Sequence, residues 1–159
     1  MIEPGSERAL IASFGGGKYR FFLPMKGIVE VERLCGKPLG VIYDEMSASM
    51  GLEKATDNPV YLIGGTARIS DAYHVIRKAA EMGGQAELAG EVVKVSAIDA
   101  TNLVDQHVAD ADYDEFMPVA WAILRNTMSG ATLKKKAEAE RLARLTPSAA
   151  DTSSPPAVS

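Results

Sequence analysis

The stretch SFGGGKYRFFLP, residues 13–24, sets three glycines and a lysine between two β-prone runs. A phosphate-cradling loop with Lys18 as its lysine needs glycine at position 12 and Ser or Thr at position 19. Ala12 and Tyr19 stand there instead. Glycines also supply the positive φ of a tight reversal, so residues 9–14 and 19–23 read as the two strands of a hairpin. Strand-like alternation stops near Leu23, and helical spacing dominates afterwards. The fold class that follows is α+β: an N-terminal β-hairpin followed by a predominantly helical body, with a C-terminal charged helix and a disordered tail.

Pro24 opens the first helix, in which Ile28, Val31, Leu34 and Cys35 recur at helical spacing until Gly36. Pro38 opens a second, with Leu39, Ile42, Tyr43, Met46 and Met50 on one stripe and Gly51 at its end. Turn formers make residues 52–59 a loop, and the run 60–63 fits either a short strand or a helical turn. Ser70 is expected to cap a third helix that buries Ala72, Val75, Ile76, Ala79 and Ala80, points Arg77, Lys78 and Glu81 at water, and ends at Gly83-Gly84. Residues 91–95 read as extended or linker-like. Ser96 and Asp99 have the spacing of a capping box ahead of a helix over 96–109, with Ala100, Leu103, Val104, His107 and Val108 inward. A last body helix over about 112–129 is apolar nearly all round, through Phe116, Met117, Val119, Trp121, Ile123, Leu124 and Met128, and suits either the centre of a core or a surface covered by a partner. Gly130 is expected to end it. The organisation that results is one domain over 1–130, a charged helix over 131–145 and a disordered tail over 146–159.

With 159 residues, 47% hydrophobic and 24% charged, the chain has the composition of an ordinary soluble globular protein. No apolar run approaches the length of a membrane span, and the first residues lack the basic and apolar regions of a secretory signal; a cytoplasmic site of action is the expectation. Cys35 is the sole cysteine, which rules out an internal disulfide and a four-cysteine zinc site, and its place on an apolar helix face suits a buried, inert thiol. The net charge of −4 is uneven: five cations against three carboxylates after Gly130 leave +2 there and −6 before it. That acidic body argues against a specific nucleic-acid partner.

Catalytic and metal chemistry have no pattern here. Asp110, Asp112 and Asp114 alternate like the start of a calcium loop, but the glycine and glutamate that loop needs are replaced by Glu115 and Trp121. The acidic run is better read as negative charge at a helix N-terminus. His74 and His107 lack companions at ligand spacing, and no serine sits in a nucleophile elbow. The expectation is no catalytic residue, no metal and no cofactor.

One ordered series does carry information: the hairpin, then GIVEVERLCGKPLGVIYDEM, DAYHVIRKAAEMGG, NLVDQHV and PVAWAILRNTMSG. The series resembles the small tail assembly chaperones of gene transfer agents and siphophage-like tails, a family also labelled gene transfer agent family phage tail tube protein. The matching positions are Glu32 and Leu34, Val75-Ile76-Arg77 with Gly83-Gly84, Leu103-Val104, and Ala122-Ile123-Leu124 with Gly130, within residues 7–130. The segments 55–69 and 85–95 are longer than the pattern. The resemblance implies a non-catalytic assembly factor in the bacterial cytoplasm that binds the tape measure protein, helps tail tube protein polymerise around it and is not retained in the mature particle. Homo-oligomerisation is compatible with it. Trp121, Leu133, Leu142 and Leu145 are the candidate partner contacts. A structural tail tube subunit is the alternative, and a small regulatory nucleic-acid-associated module ranks below that.

Overall fold

A computed structural model describes residues 2–6, 8–52, 59–61, 65–110 and 113–145, with side chains described except at 52, 59–61, 108–110, 113–114, 130–140 and 143–145. The elements run β1 (Leu10–Phe14), β2 (Gly17–Phe21), α1 (Met25–Cys35), α2 (Leu39–Ala48), β3 (Met50–Leu52), β4 (Pro59–Tyr61), α3 (Ile69–Gly83), β5 (Gln85–Leu88), β6 (Glu91–Lys94), α4 (Ala97–Asp110) and α5 (Tyr113–Leu145). The N-terminal hairpin is present, with Gly15 at φ 59° and Gly16 at φ 82° in the two turn positions. Two successive positive φ values match the twist of the strands they join.

The hairpin is half of a larger sheet. β2 pairs antiparallel with β5, Tyr19 opposite Ala86, and β5 with β6, Ala86 opposite Val93, so the sheet order is β1-β2-β5-β6. The expanded segment after Gly84 is therefore a second hairpin. Its turn is Ala89-Gly90, at φ 51° and 82°. A separate pair, β3–β4, occupies part of the expected loop and makes residues 60 and 61 of the ambiguous run part of a strand. Residues 53–58, 62–64 and 146–159, the last the expected disordered tail, lie outside the described residues.

Opposed residues of an antiparallel sheet share a face. Leu10, Ala12, Phe14, Tyr19, Phe21, Ala86 and Val93 line up on one, and the helices pack there. On the other face Ser13, Lys18, Gln85 and Lys94 meet water. The result is a two-layer sandwich with α3 at its centre, touching α1, α4, α5 and β2. All five residues expected on its apolar face are fully buried. The approach to β2 is close enough that a Cβ at Gly83 would overlap the Arg20 carbonyl, and the Phe22 N–H donates to the Ala79 carbonyl at 3.0 Å.

Several expectations need correction. Arg68 occupies the N-cap of α3, without a side-chain capping bond, and Ser70 lies within the helix. Lys78 is 8% exposed rather than solvated, its ammonium 2.9 Å from the Glu81 carboxylate; the long methylene stem accounts for the burial and the carboxylate for the charge. Met50 and Gly51 leave the stripe of α2, which stops at Ala48, and enter β3. Leu34 sits at the margin of its helix's buried face, 36% exposed. Gly130 does not end the last body helix: the backbone continues as one helix to Leu145. A single glycine costs a helix interior only about 1 kcal/mol, too little to break it when good helix formers follow.

Candidate partner-binding surface

Every turn of α5 up to Thr127 contributes to the core, through Phe116, Met117, Ala120, Ile123, Leu124 and Thr127. Its other face is not covered to the same degree. Trp121 is half-buried: its indole N–H donates to Ser47 Oγ on α2 at 3.1 Å, and the exposed Arg125 guanidinium lies 5.3 Å from the ring centroid. An open cleft of about 350 Å³ runs between this ledge and β1, lined by Leu10, Trp121, Ala122, Arg125, Asn126 and Ser129. Asn126 Nδ2 donates to the Ala9 carbonyl at 3.0 Å and anchors the helix beside the edge strand. The arrangement offers an aromatic face, a cation and an open strand edge, which suits an amphipathic segment of another protein.

Of the expected contact residues, Trp121 forms this ledge and Leu142 is exposed on the same helix; the side chains of Leu133 and Leu145 lie outside those described. The helix is thus not apolar all round in function: Val119, Trp121 and Met128 are partly buried, whereas Phe116, Met117, Ile123 and Leu124 are core. Arg125, Asn126 and the β1 edge belong to the cleft but are not among the residues the sequence singled out. Only the tertiary pairing of α5 with β1 brings them to Trp121.

The glycine turn is built against phosphate. Glu115 Oε1 already accepts the Gly15 N–H at 3.0 Å, and the depression around Gly16, Gly17 and Lys18 also contains Glu87. An anion there would meet two carboxylates. His107 packs its ring on Phe14, centroids 4.1 Å apart, with Nε2 3.6 Å from Glu115. It serves the junction of hairpin, α4 and α5.

Cys35 lies beside the Lys37–Asp71–Glu45 cluster, where Lys37 Nζ is 2.6 Å from Asp71 and 2.7 Å from Glu45. Burial, reinforced by the Asp71 carboxylate, pushes the thiol up to about 12, so it is not a nucleophile at neutral pH. His74 is held below its ordinary value, chiefly by burial and then by Arg77. Among the described residues no three His, Cys, Asp or Glu gather at metal-binding distance, and no helix is long and apolar enough to cross a membrane. Comparison with protein-family models, curated proteins and solved structures finds no match.

Proposed function

We propose that this chain is a non-catalytic tail assembly chaperone of a phage or gene transfer agent. It binds the tape measure protein in the bacterial cytoplasm, assists assembly of the tail tube around it and leaves before the particle is complete. The observation that carries the reading is the ordered motif series, whose members fall on α1–α2, α3, α4 and α5. A long apolar helical ruler needs its surface covered until the tube encloses it, and binding to the unassembled form stabilises it by mass action. The Trp121–Arg125 ledge beside β1 is a surface of suitable chemistry.

Co-expression with the tape measure protein encoded nearby tests this. The partner is expected to stay soluble and co-purify with the chain, which is then absent from purified particles. Recovery of the chain as a many-copy ring component of particles would establish the tail tube subunit instead. One observation favours that second reading: among the described residues β1 and β6 are the edges of the four-stranded sheet, as a subunit joining through strands requires.

A further inference from the structure

Tyr19 is only 8% exposed, yet among the described residues its hydroxyl makes no hydrogen bond, and its oxygen is not sealed from solvent. A buried phenol ordinarily finds a partner. This one lines a cleft of about 380 Å³ between α4 and the helix-side face of β5 and β6. That volume is within the range of small-molecule sites, about 300–1,000 Å³. Leu88 and Val93 give the cleft an apolar floor, and α4 adds Leu103 together with Asp99, Asn102 and Gln106. These four fall three or four positions apart, so one flank of the helix presents them together.

The charge of the cleft is negative. Asp99 Oδ2 accepts from the Ser96 N–H at 3.0 Å and from Ser96 Oγ at 2.9 Å, bonds that hold the carboxyl below its ordinary value and keep it ionised at neutral pH. Its Oδ1 takes no bond among the described residues. Glu91, opposite Leu88 in the register, is exposed on the same face of the sheet. Lys94, the one cation among the described residues that line the cleft, stands opposite Gln85, which puts it on the solvent face.

We infer that this cleft binds a small organic cation, a protonated amine carried on an apolar body. The ammonium donates to Asp99 Oδ1 and to the Tyr19 hydroxyl, which supplies the partner that the phenol lacks. The apolar body lies on Leu88, Val93 and Leu103, while the side-chain amides of Asn102 and Gln106 accept at the rim. An anion of the same shape would meet carboxylates and no cation on this face. The site goes beyond the chaperone reading and does not depend on it.

Phenethylamine, an aromatic ring bearing a primary amine, is the probe. Added to the isotope-labelled full chain, it is expected to shift the amide resonances of β5, β6 and α4 with a dissociation constant of about 1 mM. Hydrocinnamate, an anion of nearly the same shape, should bind about tenfold more weakly or less. Tyr19→Phe removes a hydroxyl that bonds nothing in the free protein and is expected to weaken the amine about fivefold. Asp99→Asn keeps an oxygen for Ser96 but loses the charge, for a loss of about tenfold. Both variants should retain the parent's far-ultraviolet circular dichroism. No shift at about 20 mM amine overturns the proposal. So do shifts that fall outside the cleft, equal binding of amine and hydrocinnamate, or parental affinity in Tyr19→Phe.

Discussion

Trp121 has two duties that a half-buried indole can combine, packing against α2 and presenting a face to the cleft. Full burial would set the cost of Trp121→Ala at about 3–5 kcal/mol. The partial burial seen here lowers that to about 2 kcal/mol, of which the bond to Ser47 accounts for about 1. Urea denaturation of Trp121→Ala and Trp121→Phe separates the two contributions. Loss of the proposed tape measure binding at unchanged stability would instead mark the ring as mainly a partner contact. Cys35 gives a pH-dependent expectation. Its thiol is raised in the folded state, so the folded chain keeps a proton that the unfolded chain releases above pH 9. Stability falls as pH rises from about 9 to about 12 for that reason, and Cys35→Ser flattens this limb of the profile. His74 acts at the other end. Its folded value is depressed by burial, so its contribution is present above pH 6.5 and is lost as pH falls below that. Replacement of His74 by Gln should reduce the acid sensitivity of the melting temperature between pH 5 and 7.

Elements differ in how plainly the chain announces them. α3 and α4 were legible because apolar residues recur every three or four positions and because Ser96 and Asp99 exchange bonds, with the Ser96 N–H donating to Asp99 at 3.0 Å and the Asp99 N–H to Ser96 Oγ at 3.2 Å. The hairpin β5–β6 was not, because its turn uses alanine where a glycine or asparagine would signal reversal. Ala89 is the one non-glycine residue at positive φ among those described. An L residue pays about 1–2 kcal/mol in that region. Ala89→Gly relieves the strain but loosens the unfolded chain, and a net gain of about 0.5–1 kcal/mol is expected in thermal melts. Gly83→Ala should act in the opposite sense. The added methyl would strike the Arg20 carbonyl, forcing α3 off β2 at a cost of about 3 kcal/mol or more. A melting curve indistinguishable from the parent would show that the two elements are not in contact.

At the level of the whole molecule, Thr127 is the last buried residue of α5 among those described. Deletion of residues 131–159 is therefore expected to leave a folded body, with a melting temperature within a few degrees of the full chain. A truncated chain that unfolds would place part of the core beyond Gly130. Composition and periodicity by themselves determined the α+β class, the glycine-turned hairpin, the apolar face of α3 and the uneven charge, since each depends on neighbours within a turn or a strand. Tertiary structure alone decided the rest. The four-stranded order β1-β2-β5-β6 joins residues that are more than sixty positions apart, and local spacing carries no record of such pairing. The cleft between Trp121 and β1 has the same origin, since it depends on packing between distant segments, whereas α5 runs on through Gly130 because one glycine costs a helix too little to end it.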